Sequence, residues 1–128
     1  MRSRILCISG HPGDARKLSE MLHALPLILD QVESVRQARA QLQLQTYDAV
    51  LTEAALPDGN WLDVLHLVRE CPRQMAVVVT DAKADSRLWA EILNLGAFDL
   101  LAQPFDEPEV RRILYNACSR FETFSAAV

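Results

Sequence analysis

The sequence is short of cysteine, of glycine and of long apolar runs, and each shortage excludes a class of protein. Its 3 cysteines, Cys7, Cys71 and Cys118, are an odd number at unrelated spacings, which predicts reduced thiols in a cytoplasmic protein. No apolar run approaches the roughly 18 residues of a membrane span, and the run at residues 5–9 is too short for the core of a signal peptide. The 4 glycines form no phosphate-binding loop of the usual spacing.

An excess of positive charge is also missing. The 13 basic residues face 17 acidic ones, a formal net charge of −4, which argues against a nucleic-acid-binding surface on this domain. The 128 residues, half of them hydrophobic, suit one globular domain. We expect that domain to occupy residues 1–128. It should fold over about 1–120, with 121–128 forming a tail or the start of a linker.

Five apolar runs alternate with five segments of helical periodicity. The runs predict strands at residues 4–9, 27–32, 48–52, 75–80 and 98–102. The segments predict helices at 14–25, from 35 through 42, and at 61–70, 85–95 and 106–120. The run at 75–80 has no polar alternation, which is typical of a parallel strand buried on both faces. Right-handed crossovers then predict an α/β, flavodoxin-like, doubly wound five-stranded parallel sheet of order 2-1-3-4-5 with five helices, a three-layer sandwich.

A carboxylate ends the third predicted strand. Glu53 follows the apolar run and precedes the turn residues Pro57, Asp58 and Gly59. In a parallel α/β sheet, ligands and chemistry sit at the carboxyl ends of the strands. Glu53 therefore lies where a functional group is expected.

Four sequence segments, taken in order, resemble the receiver domain of two-component response regulators. They are RILCIS, YDAVLTEAALPDG, VVVT and GAFDLLAQPFDEPEV. The last segment is most similar to receivers of nitrogen-regulator-type transcriptional activators. The resemblance implies phosphoryl transfer from a histidine kinase onto an aspartate, assisted by Mg²⁺ bound to acidic residues.

The resemblance also assigns positions, and most of the usual side chains are replaced. The phosphoacceptor position is Glu53, the switch aromatic is Leu100, and the remaining pocket positions are Ser9, Gly10, Thr80 (or Asp81, if a gap is placed differently) and Gln103. The usual acidic pair and the usual lysine are therefore absent. We expect that Mg²⁺ binding is lost, that the domain is not an enzyme, and that it is a pseudo-receiver acting through protein contacts.

Three hypotheses for Glu53 follow. Its carboxylate imitates a phosphorylated aspartate and accepts a hydrogen bond from Thr80 or Gln103; or it is a solvated, inert group; or Glu53 or the nearby Asp58 is a working phosphoacceptor. A further hypothesis groups His11 and Asp14 with Glu53 and Asp58 as a metal site of another kind.

The predicted interaction face comprises the fourth helix, the fifth strand and the last helix, with Trp89, Leu93 and Phe105 as its apolar residues. For Trp89 we favour a core position over an exposed one. Trp61 either packs in the core or covers the altered pocket. The expected partners are a second copy of the domain or another protein, a histidine kinase, and a DNA-binding output domain on a longer chain, with no membrane contact.

Overall fold

The structure, a computed structural model, describes residues 2–83 and 85–121. Its strands are β1 (Ser3–Ile8), β2 (Leu27–Val32), β3 (Ala49–Glu53), β4 (Ala55–Leu56), β5 (Gly59–Asn60), β6 (Ala76–Asp81) and β7 (Asp99–Ala102). Its helices are α1 (Pro12–Met21), α2 (Val35–Leu44), α3 (Trp61–Glu70), α4 (Ser86–Asn94) and α5 (Glu107–Ser119). The predicted tail lies almost wholly outside the described residues. None of the helices in the described ranges combines the length and apolarity that crossing a membrane requires.

The five longer strands form one parallel sheet in the order β2-β1-β3-β6-β7. Counted along the chain without the two short strands, this is the order 2-1-3-4-5, so the flavodoxin-like prediction is confirmed. The short strands β4 and β5 pair in an antiparallel ribbon between β3 and α3. The sequence indicated only a turn at this position.

Alternate side chains of the sheet pack into two separate cores. On β1, Ile5 and Cys7 join the core under α1 and α5, whereas Leu6 and Ile8 join the core under α2, α3 and α4. This alternation follows from the two-residue period of a strand. Helices on both faces of the sheet make the three-layer sandwich that the sequence predicted.

Polar side chains define the starts of most helices. Ser34 accepts a hydrogen bond from the Gln37 amide at the start of α2, and Asp85 accepts one from the Leu88 amide at the start of α4, as N-cap residues do. The predicted bounds of α1 are wrong: it begins at Pro12 and ends at Met21. Proline suits the first helical position because its missing N–H would be unpaired there anyway.

The two tryptophans occupy opposite environments. Trp61 is 4% exposed in the core under α3, so its packing role is confirmed. Trp89 is 49% exposed, so the expectation that it lies in the core is wrong. The adjacent apolar positions of α4 compete for the inward face, and the fully buried Ile92 takes it.

Candidate functional site

The carboxyl ends of the central strands bring the predicted pocket positions to one edge of the sheet. In the strand register Ile8 is opposite Thr52, and Glu53 is opposite Thr80. Ser9 therefore follows β1 directly beside the end of β3. Gln103 follows β7, whose residue Leu101 is opposite Thr80. The sequence-predicted positions thus lie around one edge.

The Glu53 carboxylate is held by the segment that joins β1 to α1. Oε1 of Glu53 accepts hydrogen bonds from Ser9 Oγ at 2.6 Å and from the Gly10 amide at 2.7 Å. Oε2 of Glu53 lies 3.0 Å from Nδ1 of His11. Ser9 is 2% exposed, and the Glu53 side chain is 14% exposed. The carboxylate therefore has donors on both oxygens in a largely dry position, where hydrogen bonds to charged groups are strong.

Ser9 also shapes this segment locally. The amide of His11 donates to Ser9 Oγ at 3.0 Å, which closes a short turn between the end of β1 and the first turn of α1. One hydroxyl therefore fixes the loop backbone and donates to Glu53. Gly10 contributes only its amide, and the space beside it would admit a side chain, because a Cβ placed there would meet Pro57 Cγ at an ordinary distance of 3.6 Å.

The charge of Glu53 affects its neighbours. The hydrogen bond and the negative charge of Glu53 raise the pKa of the His11 imidazole above its ordinary value, although the ring is exposed. Burial, with smaller contributions from Asp14 and Glu53, raises the pKa of the Cys7 thiol to about 12. Cys7 is therefore an unreactive thiol beneath the site.

Thr80 and Gln103 form a separate hydrogen-bonded pair. Thr80 Oγ1 donates to the Leu101 carbonyl at 2.7 Å and accepts from Gln103 Nε2 at 3.2 Å. Thr80 donates its single hydroxyl proton to Leu101, and the Gln103 amide donates to Thr80, so the hypothesis that Thr80 or Gln103 donates to Glu53 is not borne out by the hydrogen bonds of the described residues. Leu100, at the predicted switch position, is 6% exposed in the core under α4.

Asp58 and Asp14, the other acidic candidates, have different surroundings. Asp58 accepts hydrogen bonds from the Val35 and Arg36 amides at 2.8 and 3.0 Å, and these bonds lower the pKa of its carboxyl group. Asp58 thus caps α2 from a distance, a role that the local sequence around it does not indicate. Asp14 lies in the first turn of α1, and one of its oxygens falls within 4.8 Å of ligand atoms of His11 and Glu53.

The predicted interaction face is partly exposed. Leu93 is 44% exposed on α4, in addition to Trp89. The sequence did not single out Leu95 and Tyr115, which are also exposed. Phe105 is half-buried and packs against the core under α1 and α5. A continuous surface through all three predicted residues stays a prediction.

Comparisons with known proteins agree with this architecture. The family model of the response regulator receiver domain matches residues 5–115. The chain is 30% identical over 117 residues to the response regulator protein PilR of Pseudomonas aeruginosa, covering 91% of this chain and 26% of PilR. It spans 12% to 54% of the length of the first three curated relatives that it matches.

Solved structures give the same result. The receiver domain of a putative Luxo repressor protein from Vibrio parahaemolyticus superimposes with a TM-score of 0.91 at 19% identity, covering 99% of this chain and 98% of that one. The chain also superimposes on the receiver domain of the sensor histidine kinase PA1611 from Pseudomonas aeruginosa with a TM-score of 0.78 at 26% identity, covering 93% of this chain and 99% of that one. That structure was solved with a magnesium ion in its active-site cleft.

Proposed function

The chain belongs to the response regulator receiver domain family, and from that membership we propose that it is a pseudo-receiver whose signalling does not depend on phosphorylation of its own site. Receiver domains are signalling modules of two-component systems rather than enzymes. We propose that this chain differs from other receivers in lacking Mg²⁺-assisted phosphoryl transfer onto an aspartate. The observation that carries it is the hydrogen-bonding of both Glu53 oxygens by Ser9, Gly10 and His11.

A phosphoacceptor needs a carboxylate oxygen free to attack phosphorus in line with the leaving group. Oε1 of Glu53 already accepts from Ser9 Oγ at 2.6 Å and from the Gly10 amide at 2.7 Å. Attack by Oε1 would require breaking these bonds, and attack by Oε2 would require the His11 imidazole to move away, in a position that is 14% exposed. The additional methylene of glutamate also displaces the oxygens, and an offset of about 1 Å can cost roughly 100-fold in rate.

The donor set also argues against Mg²⁺ at this position. Mg²⁺ requires oxygen ligands in near-ideal octahedral geometry. A hydroxyl proton and an amide proton point at Glu53 from the two positions where the family places acidic residues. These groups stabilise an anion, the carboxylate itself, and Gln103 supplies no ammonium group to hold a phosphate. We therefore propose that no Mg²⁺-assisted phosphoryl transfer takes place at this pocket.

The hydrogen bonds favour a modified form of the hypothesis that Glu53 imitates a phosphorylated aspartate, in which Glu53 fixes one conformation of the pocket. Glu53 fixes the β1–α1 segment, while Thr80 remains bonded to Leu101 and Gln103. The carboxylate thus stabilises one arrangement of the pocket without engaging Thr80 as a phosphoryl group would. We propose that this fixed state signals by dimerisation or docking through α4, β7 and α5. A cytoplasmic location, a kinase partner and a DNA-binding output domain are parts of the same proposal.

Incubation with acetyl phosphate and Mg²⁺, followed by intact-mass analysis, tests the proposal. We expect no added phosphoryl mass under conditions that modify a receiver with a complete pocket. The matched variant is Gly10→Asp/Glu53→Asp/Gln103→Lys, which restores three family side chains and is sterically possible because Gly10 has room for a Cβ. Base-labile modification of the unaltered chain, abolished by Glu53→Gln, would establish the conventional acceptor instead.

A further inference from the structure

We propose that His11, Asp14 and Glu53 form a binding site for a divalent transition-metal ion such as Zn²⁺. Each residue offers one ligand atom, and these atoms all lie within 4.8 Å of one another. Of the described residues that carry His, Cys, Asp or Glu side chains, these three make the one such cluster. His11 is the N-cap residue of α1 and Asp14 lies in the first turn of that helix, so both side chains are at the same end of α1.

The ligand atoms of His11 and Glu53 are already close enough to bind one ion together after small side-chain rotations. Nδ1 of His11 and Oε2 of Glu53 are 3.0 Å apart. For an ion about 2.1 Å from each atom, this separation gives a ligand–metal–ligand angle of about 90°, as in an octahedral Co²⁺ or Ni²⁺ ion, whereas a tetrahedral Zn²⁺ ion needs the two atoms about 3.4 Å apart. Coordination uses the lone pair of a neutral imidazole, so the proton shared with Glu53 moves to Nε2 or to solvent.

Asp14 completes the set after a rotation of its side chain. Two ligand atoms bound to one such ion are at most roughly 4.2 Å apart, and the three atoms lie within 4.8 Å of one another, so a small rotation of the Asp14 side chain suffices. Its side chain is half-exposed in the first turn of α1, which leaves room for a different rotamer. The His11 side chain is 75% exposed, so an ion reaches the site directly from solvent.

The ligand types select the metal. One imidazole nitrogen and two carboxylates suit Zn²⁺, Co²⁺ or Ni²⁺ better than Mg²⁺, which prefers an all-oxygen shell. Oε1 of Glu53 keeps its bonds from Ser9 and Gly10 while Oε2 binds the ion, and these bonds orient the ligand. The inference rests on the proposed function only in that Glu53 remains unmodified.

Isothermal titration of the metal-free protein with ZnCl₂, and separately with MgCl₂, tests the site. We expect one Zn²⁺ per chain and Mg²⁺ binding weaker by at least about 10-fold. His11→Gln and Asp14→Asn should each weaken Zn²⁺ binding by about 10-fold or more. His66→Gln, which changes an exposed histidine of α3, and Cys71→Ser, which removes a half-buried thiol, should leave it unchanged.

The proposal is overturned if Zn²⁺ does not bind, or if His11→Gln and Asp14→Asn bind it as well as the unaltered chain does. Loss of binding in His66→Gln or Cys71→Ser would place the ion elsewhere and also overturn it. Phosphorylation by acetyl phosphate together with intact Zn²⁺ binding would refute the proposed function alone. If the chain is neither phosphorylated by acetyl phosphate nor able to bind Zn²⁺, the metal site alone is refuted.

Discussion

Replacement of Glu53 by alanine should destabilise the domain far more than removal of an ordinary surface carboxylate. The substitution removes the acceptor of the Gly10 amide and leaves the Ser9 hydroxyl with only a longer bond to the His11 carbonyl, 3.2 Å away. A hydrogen bond to a charged group contributes about 1.5–3 kcal/mol when it is shielded from water. Ser9 is 2% exposed and cannot be fully rehydrated, whereas Gly10 is exposed and can. We therefore expect a loss of about 2–3 kcal/mol in the free energy of unfolding.

Two variants make this measurement specific. Glu53→Gln keeps an oxygen that accepts from Ser9 and Gly10 but removes the charge, so its expected cost is about 1 kcal/mol. Glu33→Ala removes an exposed carboxylate that follows β2 and should change stability by no more than about 0.5 kcal/mol. Urea unfolding followed by circular dichroism gives the three values. A cost for Glu53→Ala equal to that for Glu33→Ala would refute the reasoning.

The remaining predictions concern a helix cap, the α4 surface and one glycine. Backbone hydrogen bonds lower the pKa of the Asp58 carboxyl group from 3.8, so Asp58 should stabilise the fold above pH 3.8, and this stability should be lost as the pH falls through its depressed pKa in the folded state. Asp58→Asn should remove this pH dependence from urea midpoints measured between acid and neutral pH. Trp89→Ala should lower the free energy of unfolding by less than about 1 kcal/mol, because the side chain is 49% exposed, and should weaken self-association or partner binding in sedimentation or pull-down measurements. Ile92→Ala, at a fully buried position of the same helix, should lower the free energy of unfolding by about 2–5 kcal/mol. Gly96→Ala should cost more than about 1 kcal/mol in thermal or urea unfolding, because Gly96 has a φ of 108° and a Cβ there would meet the Arg69 guanidinium.

The sequence predicts the sheet well because its signals are local and redundant. The strand at Leu27–Val32 and the helix at Trp61–Glu70 have the predicted bounds, and Gly96 ends α4 in a left-handed conformation as a C-terminal glycine does. Strand order then follows from alternation and handedness. That order alone places Ser9 beside Glu53, so the meeting of the pocket positions was predictable.

The direction of the Glu53 side chain was not predictable. It depends on which donors the β1–α1 segment presents, and that follows from the turn closed by Ser9 and His11. The same limit applies to α4, where Leu88, Trp89, Ile92 and Leu93 are all apolar and helical spacing permits more than one inward face. Packing against the sheet, and not periodicity, selects Ile92. Asp58 caps α2 through a tertiary contact, because it lies 23 positions from Val35 and 22 positions from Arg36 in the sequence. No local pattern therefore reveals this cap.

An amide ¹H–¹⁵N correlation spectrum recorded with and without beryllofluoride and Mg²⁺ tests whether the Glu53 carboxylate can accept a phosphoryl group. We predict unchanged resonances for Ser9, Gly10 and Thr80, because the Glu53 oxygens are already occupied by donors of the chain itself. Saturable shifts of these three resonances, lost in Glu53→Gln, would contradict it.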